Sequence, residues 1–348
     1  MKKDKQPVSK ASSVNDALNA GPFVPAYFRF APLLKQLVWG GEQLLPFKRI
    51  QAPLDHIGES WEISCLPDNE TPVVGGEYDG WSLSRLMKVF GVDLLGVSVF
   101  ARFGYHFPLM VKFIDTARDL SIQVHPDDAM AHRVGLKCGK SEMWYVVKAV
   151  PGATLLTGFS QPTTPDEYRE AVNNSTICEK LQRYEVKKGD SFVIPAGQIH
   201  SIGAGILLIE VQQMSDVTYR IFDYNRLDKD GKPRKLQVEE AGEAIHFEYK
   251  PDYRNYYTPQ PNKAVSLAEG SFYTTSLFEL DHSLTLDYSA LDSFVLWVAF
   301  EGEGMLTFPD GTETVLCAGE TILLPATTRK ITVKPASGDR FCFLETHV

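Results

Sequence analysis

Two strand-like segments, SIQVHPDD at residues 121–128 and GDSFVIPAGQIH at residues 189–200, each carry a histidine at or near the end of an apolar run. Between them, KSEMWYVV at residues 140–147 supplies a carboxylate at the start of a third apolar run. Short runs rich in β-branched and aromatic residues are typical of strands. Because side chains two apart on a strand share a face, Gln123 and His125 should point the same way. Inside a closed sheet, Glu142 and His200 could converge on them.

This convergence predicts a metal site. Two histidines, a glutamate and a glutamine can hold a divalent cation and leave a coordination position open. Taken singly, each residue has an ordinary explanation, since a lone histidine or glutamine is more often a surface or hydrogen-bonded core residue. A lone glutamate is more often a solvated charge. Their common placement on apolar strands needs a reason, because burying polar groups is costly. The other histidines lack this context, and His132 falls in a segment that reads as helix or loop.

The rest of the chain favours a mainly β fold with a few inserted helices. The segment 189–196 recurs as GETILLPA at residues 319–326, and MWYVV at residues 143–147 is echoed by LWVAF at residues 296–300. Glycine and an acid before an apolar strand that ends in proline are typical of cupin-like, jelly-roll β-barrels. We therefore expect two such barrels. The second should be metal-free, because Lys330 stands where the first has His200.

Helices and domain limits are predicted less directly. Residues 81–90 show helical apolar spacing after a serine, and Thr164 is a plausible N-cap with Pro165 in the first helical position. We expect a flexible tail over residues 1–25 and a metal-binding catalytic domain with helical inserts over residues 26–257. A degenerate cupin-like β domain should occupy residues 258–348. The boundary between the two domains is expected near residues 257–265.

Composition limits the class of protein. The chain has 348 residues, with 44% hydrophobic and 11% aromatic, as in ordinary globular proteins. A net charge of -9 argues against nucleic-acid binding. No run approaches the ~18 apolar residues of a membrane span, and the polar N-terminus does not resemble a signal peptide. Five scattered cysteines without a CxxC pair suit reduced thiols. We expect a soluble cytoplasmic protein with no nucleic-acid or membrane partner; nothing in the sequence indicates an oligomeric state.

Four segments carry a closer resemblance. SIQVHPDD, GKSEMWYVV, IPAGQIHSIG and SDVTYR resemble motifs of the type I phosphomannose isomerases in their short bacterial form, over a similarity from about Arg29 to the C-terminus. The resemblance implies a cupin enzyme with one Zn²⁺ per chain, or another divalent metal. It implies interconversion of the phosphosugars mannose 6-phosphate and fructose 6-phosphate through an enediolate. The implied metal ligands are Gln123, His125, Glu142 and His200.

The resemblance also implies a catalytic arginine, Arg220, which ends SDVTYR. Being permanently cationic, Arg220 is expected to stabilise charge rather than act as the base. Lys140 and Glu210 are both candidates for proton transfer, and the choice between them stays open. Further residues resemble family pocket residues and are expected to bind substrate, with Lys112 and Ser121 as candidate phosphate contacts: Trp39, Glu59, Lys112, Ser121 and Glu210. Each also has a plain alternative, such as core packing for Trp39 or a turn for Glu59.

Departures from the long form of the family leave alternatives open. The chain lacks the long form's large helical insertion, and the residues after Arg220 differ, so the strictness of the sugar preference is open. Another metal-dependent cupin enzyme, such as an oxygenase or an epimerase, could act on a phosphosugar. Oxygenases usually hold iron with two histidines and one carboxylate, and Gln123 and Arg220 argue against that class. A non-catalytic sugar-sensing or storage cupin could keep the metal but would not need Arg220.

Overall fold

The computed structural model describes residues 23–227, 230–336 and 340–348. These residues form two β units, each built from two facing sheets, with short helices placed between strands. The prediction of a mainly β fold with a few inserted helices is confirmed. Most of the predicted N-terminal tail, residues 1–22, lies outside the described residues.

The first unit contains a seven-stranded and a five-stranded sheet. The seven-stranded sheet has the order β15 (Arg254–Asn255), β11 (Ser191–Ile194), β8 (Glu142–Ala149), β13 (Ile206–Gln213), β6 (Leu109–Asp115), β3 (Ile57–Ile63) and β2 (Leu33–Gly41). The five-stranded sheet has the order β10 (Leu181–Glu185), β9 (Thr154–Phe159), β12 (His200–Ile202), β7 (Ile122–Val124) and β14 (Tyr219–Phe222). A two-stranded ribbon joins β4 (Cys65–Leu66) and β5 (Asn69–Glu70).

The second unit contains a six-stranded and a four-stranded sheet. The larger has the order β1 (Phe28–Arg29), β22 (Thr321–Leu324), β19 (Val295–Glu301), β24 (Phe341–His347), β17 (Thr274–Leu280) and β16 (Val265–Glu269). The smaller has the order β18 (Leu284–Asp287), β23 (Lys330–Pro335), β20 (Glu303–Thr307) and β21 (Glu313–Cys317).

The two units repeat the same strand order. Strands β11-β8-β13-β6 match β22-β19-β24-β17, and strands β10-β9-β12-β7 match β21-β20-β23-β18. The turns before β11 and β22 also match, because Gly189 and Gly319 have φ angles of 90° and 85°. That left-handed backbone favours glycine, which has no Cβ to clash. The repeat predicted from the sequence is therefore present in the structure.

The equivalent positions differ in what they hold. Lys330 begins β23 as His200 begins β12, and it lies opposite Asp287 as His200 lies opposite Gln123. The Lys330 Nζ is 3.2 Å from Asp287 Oδ2, and both side chains are more than half exposed. Where the first unit has a polar interior, the second is filled by a hydrophobic cluster that includes stacked aromatic rings.

Helices occur mainly as connections within the first unit. They are α1 (Leu44–Phe47), α2 (Leu83–Phe90), α3 (Val92–Leu95), α4 (Val97–Phe103), α5 (Asp128–Arg133), α6 (Pro165–Asn173) and α7 (Val238–Ala244), with a 3-10 turn at Ile177–Lys180. Both helices predicted from capping signals are confirmed. Ser82 accepts a hydrogen bond from the Arg85 amide, and Thr164 forms a reciprocal capping box with Glu167. No helix within the described ranges is long and apolar enough to cross a bilayer, and the five cysteines are free.

The two units share a core. Strand β1 precedes the first unit in sequence, yet Phe28 pairs with Leu323 in the sheet of the second. One hydrophobic cluster contains side chains of both units, and the rings of Tyr145 and Phe300 are 4.8 Å apart within it. The division of the chain at residues 257 and 258 stays a prediction.

A buried polar group interrupts the apolar filling of the second unit. Trp297 and Glu345 lie directly opposite each other on β19 and β24. The hydroxyl of Tyr288 donates to Glu345 and accepts a hydrogen bond of 3.1 Å from the Trp297 indole. Burial raises the pKa of the Glu345 carboxyl to about 7, and the hydrogen bond from Tyr288 only partly opposes that rise.

The substitution Glu345→Gln should therefore change how stability depends on pH. Between pH 4.5 and about 7 the unfolded chain ionises Glu345 while the folded chain keeps it protonated, so stability falls as pH rises. The slope from one such group is about 1.4 kcal/mol per pH unit. Urea unfolding measures the free energy of unfolding across this range. The difference in this free energy between Glu345→Gln and the wild type should shift in favour of the variant as pH rises. The control variant Glu313→Gln changes an exposed residue, and its unfolding free energy should depend on pH as that of the wild type does. The same pH slope in Glu345→Gln and the wild type would contradict the argument.

Candidate metal centre and substrate cavity

Three neighbouring strands of the five-stranded sheet place polar side chains in one row. His200 on β12 lies opposite Gln123 on β7, and Gln123 lies opposite Arg220 on β14. Directly opposite residues of an antiparallel pair point to the same face. On the other face of β7, Ile122 and Val124 are fully buried in a hydrophobic cluster with the helices that cover the sheet. The alternation of apolar and polar residues therefore turns the polar row toward the interior.

The seven-stranded sheet supplies a second row that faces the first. Across four strands, Trp144, Glu210, Lys112 and Trp61 are successive partners. The Trp144 indole donates a hydrogen bond of 3.2 Å to Glu210 Oε1. Glu142 lies two residues before Trp144 on β8, so it points into the same interior.

His125, Glu142 and His200 meet between the two sheets. The Nε2 atom of His125 is 3.4 Å from Glu142 Oε2, and that of His200 is 3.3 Å from Glu142 Oε1. One potential ligand atom from each of the three lies within 4.8 Å of the other two, and all three side chains are buried. The structure thus brings together three of the four residues predicted to hold a metal in one compact donor cluster.

Both imidazoles of this cluster are held in their neutral form. His200 Nδ1 donates a hydrogen bond of 2.8 Å to the carbonyl of Gln198, so its other nitrogen faces Glu142 with a lone pair. Burial lowers the pKa of His200 despite the attraction of Glu142. Burial and the nearby Lys140 lower the pKa of His125 to about 3. Neutral imidazoles are the form that binds metals.

Glu142 supplies the negative charge of this cluster. Burial would raise the pKa of its carboxyl, but the adjacent Lys140 ammonium outweighs burial and holds the pKa well below its usual range. Both oxygens are buried, and neither accepts a hydrogen bond of good geometry from the described residues. Lys140 Nζ lies 2.8 Å from Glu142 Oε2 and 3.1 Å from His125 Nε2, so the cluster already attracts a cation. An anionic carboxylate beside two neutral imidazoles fits a divalent metal ion.

Gln123, the fourth predicted ligand, borders this cluster. Its Nε2 is 3.4 Å from His200 Nε2, and its Oε1 is 3.4 Å from the hydroxyl of Ser121. An amide binds a metal through its oxygen, so coordination would require the opposite orientation of this amide. The ligand role of Gln123 stays a prediction.

A cavity of about 650 Å³ lies beside the cluster. It is lined by each residue predicted to act in catalysis or substrate binding: Trp39, Glu59, Lys112, Ser121, Lys140, Glu210 and Arg220. Gln123 and Lys140 form the wall that contacts the His125–Glu142–His200 cluster. The structure therefore gathers the predicted residues around one space.

The two buried lysines of the cavity, Lys112 and Lys140, are already paired with carboxylates. Lys112 Nζ is 3.5 Å from both Glu59 Oε2 and Glu210 Oε2, and 3.8 Å from Asp216 Oδ1. Burial lowers its pKa, but these carboxylates outweigh burial and raise it above its usual value. Burial raises the pKa of Glu210 to about 7, with Glu142 adding to the effect and Lys140 and Lys112 opposing it. Lys112 therefore acts within a charge network of its own wall.

Some functional candidates escaped the sequence analysis. Arg234 lines the cavity, although it lies in a polar stretch that reads only as a connection. Asp128 and Gln213 support the segment that leads to Glu142: Asp128 accepts hydrogen bonds from the Gly139 amide and from Gln213, and Gln213 accepts one from the Ser141 amide. The one available signal for Asp128 was its position directly after QVHPD; nothing local marks Gln213 or Arg234.

Comparison with known proteins places this geometry in a family. A family model described as the phosphomannose isomerase type I catalytic domain matches residues 27–145. The mannose-6-phosphate isomerase ManA of Bacillus subtilis (strain 168) is 34% identical over 281 residues, which cover 80% of this chain and 86% of that protein. The mannose-6-phosphate isomerase of Streptococcus mutans is 31% identical over 297 residues, covering 83% and 89%.

A solved structure agrees in fold over nearly the whole chain. The crystal structure of the mannose 6-phosphate isomerase from Bacillus subtilis superposes with a TM-score of 0.83 and 28% identity. The superposition covers 93% of this chain and 100% of that one. The arrangement of both β units is therefore shared with that structure.

The donor cluster predicts that Glu142→Gln loses metal without losing the fold. Gln keeps the shape of the side chain but removes the negative charge that compensates a cation. Removing even a supporting partner of a metal ligand costs roughly 10- to 100-fold in affinity, so loss of a direct donor should cost at least that. Competition with a chromogenic chelator measures the affinity. Glu210→Gln, which changes another buried carboxylate of the same interior, should keep its metal; equal affinities in both variants and the wild type would place the metal elsewhere.

Proposed function

Because this chain belongs to the type I phosphomannose isomerase family, we propose that it is a zinc-dependent enzyme that interconverts mannose 6-phosphate and fructose 6-phosphate. The single observation that supports this best is the buried His125–Glu142–His200 cluster beside a cavity lined with cations. The cluster fits a divalent metal, and the cavity fits a small anionic sugar.

We propose that Gln123 completes the ligand set. A bound zinc ion would supply a Lewis acid that stabilises negative charge on a substrate oxygen. The residues of the chain have the remaining tasks. They bind the open-chain sugar, exclude water and move a proton between its first and second carbons through an enediolate.

Glu210 is better suited than Lys140 to take that proton. Lys140 is fully buried against Glu142, and although burial lowers its pKa, Glu142 and Glu210 raise it above its usual value, so it stays an ammonium. A protonated amine can donate a proton or stabilise charge but cannot accept one. Glu210, with its pKa raised to about 7, can change protonation near neutral pH. The indole of Trp144 fixes its orientation.

Arg220 is proposed to stabilise the charge that develops on the substrate. Its Nε donates a hydrogen bond of 3.3 Å to Ser121, and its Nη1 donates one of 3.1 Å to the Lys235 carbonyl. Burial, together with the nearby Arg234, lowers its pKa. These bonds hold the guanidinium beside Gln123, its cross-strand neighbour, at the side of the cavity near the proposed metal ligands.

The other predicted pocket residues shape the cavity. Glu59 accepts a hydrogen bond of 2.6 Å from the Trp61 indole and faces Lys112. Trp39 is almost fully buried and forms part of the wall. We propose that Trp39, Glu59 and Ser121 contact the sugar, and that Lys112 chiefly balances Glu59 and Glu210. The free cysteines support a reducing, cytoplasmic location.

A coupled assay for fructose 6-phosphate formed from mannose 6-phosphate tests the proposed reaction. The zinc-loaded enzyme should turn over in the absence of oxygen, because isomerisation needs no oxidant. Dialysis against a chelator should abolish turnover, and added Zn²⁺ should restore it. Turnover that depends on iron and oxygen would indicate an oxygenase, and metal binding without any turnover would indicate a sensing or storage protein.

Substitution of Arg220 separates a chemical from a structural role. Arg220→Ala should lower kcat by roughly 100- to 1,000-fold, the typical cost of removing one group that stabilises transition-state charge. Steady-state kinetics measures this loss, and metal analysis should find the same zinc content as in the wild type. A variant that loses zinc in parallel with activity would show that Arg220 supports the ligand cluster instead.

A further inference from the structure

The cations of the cavity are unevenly compensated. Lys112 and Lys140 contact carboxylates of their own walls. Arg220, in contrast, forms no ion pair with a carboxylate of the described residues; its side chain donates to a hydroxyl and a carbonyl. Arg234 lines the same space and shares its carboxylate with a second arginine. Arg220 and Arg234 therefore bring excess positive charge to one part of the cavity; Lys35, the remaining lysine of the lining, contacts Asn69 and the Trp61 ring.

Asp223 holds Arg234 in a fixed direction. Arg234 Nε donates to Asp223 Oδ2 at 2.7 Å, and Arg234 Nη2 donates to Asp223 Oδ1. The same carboxylate accepts from Arg226 Nη2 at 2.5 Å, and Arg226 also donates to the Asp119 carbonyl. Asp223 uses two of the five N–H groups of Arg234. This carboxylate therefore orients the guanidinium without engaging all of its donors.

The position of Arg234 follows from the edge of the five-stranded sheet. Strand β14 is the last strand of that sheet, and the chain returns along its free edge. Gln237 accepts a hydrogen bond of 3.0 Å from the Arg220 amide and donates one of 2.8 Å to the Arg220 carbonyl. The order across the sheet is therefore His200, Gln123, Arg220 and then the returning segment with Arg234. Neighbouring strands are about 4.8 Å apart, so Arg220 is about 10 Å from His200 along this row.

We propose that Arg234, oriented by Asp223 and adjacent to Arg220, forms the binding site for the phosphate of the substrate. This inference rests on the proposed function, because it assigns one end of the same cavity to the phosphate monoester. The reacting carbons of a hexose 6-phosphate lie at the end of the molecule opposite to the phosphate. A row with metal ligands at one end and Arg234 at the other matches that separation.

Charge and geometry favour Arg234 over Lys112 for this role. A phosphate dianion near Lys112 would also approach Glu59, Glu210 and Asp216, and like charges repel. At Arg234 the charge balance is different: Arg226 and Arg234 share the carboxylate of Asp223, and Arg220 lies close enough to feel the charge of all three. Arginine also presents paired N–H donors that match the oxygens of a phosphate, which a lysine cannot do.

The test compares phosphorylated and unphosphorylated ligands. Arg234→Ala should raise KM for mannose 6-phosphate roughly 10- to 100-fold, as expected for charge-assisted hydrogen bonds, with a smaller effect on kcat. Competitive inhibition by inorganic phosphate should weaken by a similar factor. Unphosphorylated mannose, supplied at high concentration as an alternative substrate, forms no such bonds, so any rate measured with it should change less than about threefold. Arg234→Lys should have a KM for mannose 6-phosphate between those of the wild type and Arg234→Ala, since lysine keeps the charge without the paired donors.

Two further variants test whether the effect is specific to Arg234 and depends on its orientation. Arg169→Ala removes an arginine from the exposed face of α6, matches the change in net charge, and should leave KM unchanged. Asp223→Asn should reproduce part of the KM increase, because Arg234 loses its orienting partner. Thermal unfolding with and without inorganic phosphate gives a readout independent of turnover: phosphate should stabilise the wild type and not Arg234→Ala.

The outcomes distinguish this inference from the proposed function. A wild-type protein that forms no fructose 6-phosphate would refute the isomerase proposal, while phosphate-dependent stabilisation would still report on Arg234. An active wild type with unchanged KM and unchanged phosphate inhibition in Arg234→Ala would refute the phosphate site. Equal losses on mannose and mannose 6-phosphate would show that Arg234 acts structurally.

Discussion

The interior of the first unit depends on one buried negative charge. Glu142 lies at the start of β8 with no exposed surface, and moving a carboxylate out of water is costly unless charge compensates it. Lys140 and two neutral imidazoles surround it. Gln198 orients His200, and Asp128 fixes the segment before β8. A metal ion would satisfy the same requirement for positive charge. Glu142 and the polar groups that compensate it occupy space that an apolar core would otherwise fill.

The second unit shows what the same strand arrangement becomes without that charge. Val295 begins β19 as Glu142 begins β8, and hydrophobic side chains fill the space between the sheets. One tryptophan–glutamate pair persists in both units, Trp144 with Glu210 and Trp297 with Glu345. In the first unit Lys112 stands opposite the glutamate; in the second the equivalent neighbour is Ser276, and a tyrosine hydroxyl satisfies the acid. The two pairs occupy matching places but serve a cavity in one case and a core in the other.

Features carried by short segments were predictable from the sequence, and features made by distant segments were not. Alternation around Gln123 and the capping signals at Ser82 and Thr164 identify strands and helices because their causes lie within a few residues. The repeated glycine turns identify a second unit for the same reason. Arg234 could not be found in this way, because its place depends on Asp223 and on a chain return that no local pattern records. The pairing of β1 with β22 is likewise a product of tertiary packing.

That pairing has a consequence for how the molecule is made. During translation Phe28 leaves the ribosome long before its partner Leu323 exists, by roughly 15 to 60 s at ordinary elongation rates. The first unit can assemble in that interval. The six-stranded sheet of the second unit, in contrast, lacks its edge strand until β1 and β22 can pair, so this sheet is completed only after the segment around Leu323 has been made.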